Sequence, residues 1–310
     1  MFSFFSRESD YSIVPGWATF FKPNEYTAFL AALDSYFKSK KMDYDLGDEV
    51  VTIKNNKALS GSLGLSNVSR ACKQQKIKKY NKIVTDYFDA LLRAATTQKK
   101  FNTTALDFES VKSHIAVRLY HKNYIKQTGE LLVLTKPFCG DIVAMLVFDM
   151  PDSIINVQPH FLEKWNKSFD EVFKLGMENV NAKTKHSPKQ IQLGEIIIHQ
   201  VTATHFFSPN IIYQFENYPE LLGKYGTLFS IPNRHSVLLH PINNRSMVMT
   251  TKVLIQATLG AHSQGPGPIS NNLFWLYNND ITQIPFDIDD KNITLNPPEN
   301  FQLILAPLFY

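Results

Sequence analysis

After Pro23-Asn24, apolar residues recur at spacings of three and four: Tyr26, Phe29, Leu30, Leu33, Tyr36 and Phe37. This period predicts a helix with one buried face, capped by Asn24 and fading at Lys38 to Lys41. A second helical stripe runs through Ile77, Tyr80, Val84, Tyr87 and Leu91, with Lys78, Lys82, Asp89 and Arg93 pointing away. Between the two, residues 49–53 have strand chemistry and end at Asn55-Asn56. The stretch Ser60-Gly61-Ser62-Leu63-Gly64 reads as a flexible connector. Residues 96–104 are polar without an apolar period and read as a linker, so an N-terminal α+β segment over 1–104 and an α+β domain over 105–310 are expected.

From His114 onward the texture changes to β-branched runs, which predict strands over 114–119, 130–135 and 142–148. Ser168 followed by Glu171 is a capping-box pattern, and Phe169, Val172, Phe173, Met177 and Val180 continue it as an amphipathic helix. Further strands are predicted over 192–201, through a hairpin within 225–239, and over 272–277 with 282–286, the last two joined at Asn278-Asn279-Asp280. In the 225–239 hairpin, two apolar stretches, 227–231 and 237–239, flank the polar corner Pro232-Asn233-Arg234-His235. Gly265-Pro266-Gly267-Pro268 must be a loop, while the stretch from 254 up to it shows no readable period. The apolar C-terminal run, 303–310, predicts a last strand or a tail covered by a partner, and Ala306-Pro307 puts such a strand at a sheet edge. No internal repeat is visible.

Strands that come in hairpin pairs rather than alternating with helices predict an α+β fold: a mostly antiparallel sheet with packed helices, in one or two subdomains. With 310 residues, 44% of them hydrophobic and 19% charged, the chain can bury a sizeable core without staples. No apolar stretch has the length of a membrane span, and the first residues lack the charged head and apolar run of a signal peptide, so a cytoplasmic protein is expected. Phe2, Phe4 and Phe5 are too few for a membrane anchor and are expected to pack on the core. Cys72 and Cys139 read as small core residues.

The run from Tyr218 to Ile242 holds Leu221-Leu222-Gly223-Lys224-Tyr225-Gly226-Thr227-Leu228 before the hairpin corner. It resembles the YtpQ-like family of bacterial proteins, whose members carry a Gly-x-Leu-x-x-x-x-Pro-x-x-Asp-x-Leu type of segment. Val117-Arg118-Leu119-Tyr120 resembles the strand that opens the family domain, and Leu146-Val147-Phe148-Asp149-Met150-Pro151 its central strand. Leu162-Glu163-Lys164-Trp165, continued through Ser168 to Asn179, resembles its helix, and the run from Ile269 to Asn279 its closing hairpin. Together these pieces span residues 114–288 in the family's order. The resemblance implies a domain of unknown function, without established catalytic residues to carry over. His235 stands where the family has an acidic residue.

Among candidate functional residues, Asn233, Arg234 and His235 lead, because a hairpin tip can present a guanidinium fork and an imidazole to an anion or an acidic partner. An ordinary charged turn has the same composition. Glu216, with Asn217 and Tyr218, precedes the corner and is a candidate to share its surface. The nine histidines include no His-Glu-x-x-His motif, and His199 and His205 lack its spacing, so no metal is expected. The glycines at 61 and 64 lack a Gly-Lys-Ser/Thr ending, and no Gly-x-Ser-x-Gly elbow occurs; no cofactor is called for.

The lysines at 73, 76, 78, 79 and 82 are followed by Asp86 and Asp89, which together with a net charge of only +4 favours a solvated helix face over a nucleic-acid surface. These signs predict a non-catalytic binding or adaptor module with a protein partner. The alternative is an enzyme of unrecognised class acting on an anionic small molecule near Arg234 and His235.

Overall fold

The first apolar stripe forms helix α1, Pro23–Ser39, and all six residues of its predicted face are buried. Its start lies two residues earlier than a cap at Asn24 predicts, with Lys22 in the cap position. Pro23 supplies a preset φ at the first helical position, and the Glu25 carboxylate reaches back to accept the Lys22 N–H at 2.8 Å. Asn24 therefore sits inside the helix. The computed structural model describes residues 14–56, 61–129, 132–151, 153–193, 196–202, 205–289 and 292–309; the phenylalanines at 2, 4 and 5 fall outside them. The chain divides into two compact units, Met1–Lys99 and Lys100–Tyr310.

In the first unit, strands β1 (Tyr44–Leu46), β2 (Val50–Ile53) and β3 (Gly61–Gly64) form an antiparallel sheet in that order. The expected connector is thus an edge strand over its described residues. Ladder hydrogen bonds need only backbone, and β2 offers its open edge to a glycine-rich segment, with Thr52 and Ser62 joining their hydroxyls at 2.9 Å. Helix α2, Ser66–Lys73, gives no apolar stripe long enough to read in sequence. Helix α3, Tyr80–Thr104, follows a 3₁₀ turn at Ile77–Lys79, which leaves Ile77 exposed and off the stripe. Phe88 takes the buried place instead, 4.9 Å from Phe37 and 5.3 Å from Tyr36. The expected linker at 96–104 lies within α3: no Gly or Pro interrupts it, so a helix already nucleated propagates through polar sequence.

The second unit opens with α4 (Phe108–Val111), β4 (Ile115–His121) and α5 (Lys122–Thr128). Strands β5 (Thr135–Cys139), β6 (Ile142–Met150) and β7 (Ser153–Asn156) follow, then helices α6 (Pro159–Trp165) and α7 (Phe169–Lys183). Of the strand expected at 130–135, only Thr135 is in β5; residues 130–131 lie outside the described ones. The capping box holds, with the Glu171 N–H donating to Ser168 Oγ at 3.2 Å and the Ser168 N–H to the Glu171 carboxylate at 2.8 Å. The single helix implied for 162–179 is two, because Asn166 turns left-handed at φ 52° and ends α6.

Next come β8 (Lys189–Leu193) and β9 (Ile196–Thr202), an antiparallel pair where one strand over 192–201 was expected. They lead to β10 (Thr227–Asn233), β11 (Ser236–Pro241), α8 (Met247–Gln264), β12 (Leu273–Tyr277) and β13 (Asp280–Ile284). The small pair β14 (Phe286–Ile288) and β15 (Ile293–Leu295) precedes α9 (Glu299–Leu305). All the strand pairings are antiparallel among the described residues, and the fold is α+β. One sheet has six strands in the order β13-β12-β10-β11-β9-β8; the other pairs β6 with β4, β5 and β7.

The main core of this unit lies between the two sheets. Val117 and Leu119 from β4 and Leu146 and Phe148 from β6 meet Phe229 and Ile231 from β10, Leu239 from β11 and Phe274 from β12. The alternate residues Leu228, Leu238, Leu273 and Trp275 face a second cluster with Leu254 of α8 and Phe301 of α9. With both faces covered, β10 is buried at every position.

Helix α8 escapes sequence reading because its buried side is rich in threonine. Thr251 and Thr258 donate to the carbonyls of Met247 and Leu254, each at 2.6 Å, and the Thr258 hydroxyl meets that of Ser230 on β10 at 2.6 Å. The C-terminal run is likewise not an edge strand. Phe301 and Leu305, one turn apart in α9, are buried, Phe301 with its ring 5.0 Å from that of Trp275, while Leu303 is 65% exposed.

Candidate functional site

Asn233 ends β10, Ser236 begins β11 and the two pair, so Arg234 and His235 are the turn between them. Asn233 is 5% exposed and its amide is engaged at both ends: Nδ2 donates to the Ala261 carbonyl in α8 at 3.0 Å, and Oδ1 accepts the His235 N–H at 3.0 Å. It clamps the hairpin to the helix. A Cβ at Gly265 would lie 2.3 Å from that amide, so the helix can end beside Asn233 only with glycine there.

Arg234 is fixed from the other side of the loop. Its N–H donates to the Gly267 carbonyl at 3.0 Å, and Gly267 has φ +65°. A Cβ at Gly267 would come within 2.7 Å of the Arg234 Cδ, so this glycine supplies both the left-handed backbone and the space for the arginine stem. Arg234 Nε donates to His235 Nε2 at 3.2 Å. The guanidinium stands 4.6 Å from the ring centre of Phe206, and the His235 ring meets Phe206 edge-on at 5.3 Å.

Phe206 brings in a second cation that the sequence reading does not single out. The guanidinium of Arg118 lies 5.1 Å from the same ring and 4.8 Å from the ring of Tyr120. Alternation along β4 explains the position: Ile115, Val117 and Leu119 enter the main core, while Ala116, Arg118 and Tyr120 take the opposite face. Arg118 is only 7% exposed, its Nε has no hydrogen-bond partner, and among the described residues no carboxylate forms an ion pair with it, although the charge of Asp149 acts on it and it donates to the Tyr120 hydroxyl. Tyr120 in turn stacks on Tyr124 of α5 at 4.6 Å with an interplanar angle of 21°. The signal available in sequence was an arginine inside an otherwise apolar strand; Phe206, in a loop, carried none.

Burial and the neighbouring cations act in opposite directions on the acidic groups of this corner. Desolvation raises the Tyr120 phenol pKa, against the pull of Arg118 and Arg234. Desolvation also raises Asp149, with Lys183, Arg118, His114 and His205 opposing it. Both guanidiniums approach one ring, so they lie within about a Debye length of each other, roughly 10 Å at 0.1 M salt. Two cations that close repel, and an anion between them relieves the repulsion.

Glu216 is exposed on the 3₁₀ stretch Ser208–Asn217, and no hydrogen bond or ion pair joins it to Arg234 or His235. His199 and His240 line a separate polar groove of about 230 Å³ with Gln190 and Glu220. Among the described residues no group of three or more His, Cys, Asp or Glu side chains is arranged to hold a metal ion. In the lysine cluster, Lys73 pairs with Glu25 at 2.6 Å and Lys82 with Asp86 at 2.8 Å, which consumes part of its charge. Cys72 is buried and Cys139 half-buried, and burial raises both thiols to about 12, so neither is a nucleophile near neutral pH.

No family model matches the chain, and no curated protein or solved structure matches it.

Proposed function

We propose that the protein is a non-catalytic binding module that holds an anionic group at the corner formed by Arg118, Phe206 and Arg234. The observation that carries this reading is Arg118: a guanidinium that is 7% exposed, forms no ion pair among the described residues, feels only the more distant charge of Asp149 and keeps an Nε without a hydrogen-bond partner. Burying such a group costs stability unless something completes it, and an oxyanion does so with charge-assisted hydrogen bonds. Arg234, presented by a hairpin tip that Asn233 and Gly267 hold in place, adds the second cation without a costly rearrangement.

The catalytic alternative at Arg234 and His235 has less support, because Arg234 already occupies the His235 Nε2 lone pair that a general base would use. Kinship with the YtpQ-like family and residence in the cytoplasm belong to the same proposal and rest on the sequence features described above. No helix of the described residues is long and apolar enough to cross a membrane.

Calorimetric titration of the full-length protein with inorganic phosphate and with oxalate tests the proposal. Saturable binding that weakens at least tenfold in Arg118→Met and in Arg234→Met is expected. Equal binding by wild type and both variants, or none by wild type, would overturn it.

A further inference from the structure

The polar groove of about 230 Å³ is lined by residues of β8, β9 and β11, of the loop before α8 and of the 3₁₀ turn Pro219–Leu221, and it shares none of them with the corner at Arg118, Phe206 and Arg234. From its lining we infer a second binding site, for an uncharged polyhydroxylated molecule of monosaccharide size. The inference does not rest on the anion-binding reading above.

Strand pairing assembles one wall. Gln190 of β8 stands opposite His199 of β9, and its Nε2 donates to His199 Nε2 at 3.4 Å. His240 of β11 has its Nδ1 3.3 Å from the Ile197 carbonyl of β9; a carbonyl only accepts, so Nδ1 carries the proton and Nε2 is left as an acceptor. Burial lowers the pKa of both histidines below 6.5, and near neutral pH both rings are uncharged. The backbone orients the two asparagines: Oδ1 of Asn243 accepts the Lys224 N–H at 2.8 Å and Oδ1 of Asn244 the Ser246 N–H at 2.9 Å, which leaves both Nδ2 groups as donors. Among the described residues, these Nδ2 groups, the Ser246 hydroxyl and the Glu220 carboxylate make no hydrogen bond or ion pair.

The groove thus sets two amide donors against a carboxylate and an imidazole nitrogen that accept, with a hydroxyl that does both. A sugar hydroxyl donates and accepts through one oxygen and satisfies this mixture, whereas a carboxylate only accepts and an ammonium only donates. Glu220 is the one charged side chain of the lining, so an anion would be repelled, and its two oxygens accept from two adjacent hydroxyls through charge-assisted bonds. An ammonium would pair with Glu220 but leave the asparagine donors without acceptors. Ile197, 44% exposed, and Pro241 add apolar surface for the C–H face of a sugar ring. Drug-sized ligands fill pockets of about 300–1,000 Å³. A groove of about 230 Å³ takes something smaller, the size of one ring.

The test is a saturation-transfer NMR titration of the full-length protein with D-glucose, D-galactose, D-mannose and their methyl glycosides. Saturable binding of at least one of them is expected, weakened about fivefold or more in Glu220→Gln, which trades a charged acceptor for a neutral one. The same loss is expected in Asn244→Asp, which keeps the acceptor for the Ser246 N–H and removes the donor. Both positions are exposed, and circular dichroism verifies that the variants are folded. Affinity retained for a methyl glycoside assigns the end of a glycan, and its loss a free sugar. No saturable binding of any of these sugars, or equal binding by wild type and both variants, would overturn the inference. Weakening in Arg118→Met instead would place the sugar at the other corner and overturn it as well.

Discussion

The guanidinium of Arg118, on a sheet strand, and the ring of Phe206, in a loop 88 positions further along the chain by simple numbering, meet at 5.1 Å. Neither residue is remarkable alone. Together they turn one cation of an apolar strand into half of a paired site, because the same ring also receives Arg234.

Arg118→Met should therefore leave the fold intact and raise stability by about 1 kcal/mol, since methionine fills similar space without a buried charge to desolvate. Urea unfolding in phosphate-free buffer measures this. A loss of several kcal/mol would mean that Arg118 is tied into the structure rather than held for a ligand.

At the hairpin, Asn233→Ala removes the acceptor of the His235 N–H and the donor to the Ala261 carbonyl, and should cost about 2 kcal/mol. The urea midpoint is expected to fall at an unchanged slope. A neutral result would show that water replaces both partners.

Gly267→Ala tests the seat of Arg234. A left-handed backbone costs alanine about 1–2 kcal/mol, and the added methyl crowds the arginine stem. Phosphate affinity should drop together with stability. An affinity equal to wild type, measured well below the unfolding transition, would separate the loop from the site.

His186 sets an acid limit. It is 7% exposed, neither ring nitrogen has a hydrogen-bond partner, and desolvation, helped by His205, lowers its pKa from 6.5 to about 4. As pH falls through 6.5 the unfolded chain takes up a proton that the folded one refuses until about 4, so stability declines across that window by as much as about 3 kcal/mol and is flat above it. His186→Phe should flatten the decline in urea midpoints between pH 7 and 4. An undiminished decline in the variant would assign it to His205, His199 and His240, whose pKa values burial also lowers.

Helix α9 gives a contrast within one turn. Phe301→Ala should cost about 3–5 kcal/mol, as expected for a buried ring, whereas Leu303→Glu should stay within about 0.5 kcal/mol. Comparable losses at both positions would mean that the exposed face of α9 is covered in solution.

Much of this architecture was legible because local patterns and burial agree. The face of α1, the Ser168–Glu171 cap, the strands around Val117 and Leu146 and the hairpins at Arg234 and Asn278 each follow from a period of 3.6 or 2 with turn chemistry at the ends. Asn278 and Asn279 illustrate it well: both take positive φ, 49° and 67°, as a two-residue turn between right-twisted strands requires.

What the sequence could not carry are features whose cause lies on another element. Helix α8 shows no apolar stripe because its buried threonines are satisfied by its own carbonyls and by Ser230 of β10. The glycine-rich residues 61–64 became a strand because β2 had an edge to offer. Asn233 proved to be a clamp on α8.

The sequence by itself determined an α+β chain, the buried faces of α1 and α7 and the hairpin tip that presents Arg234, since periodicity and turn residues act over a few positions. Only the tertiary structure decided that Arg118, Phe206, Tyr120 and Tyr124 join that tip, because cation and ring find each other through space and no local pattern records the distance between them.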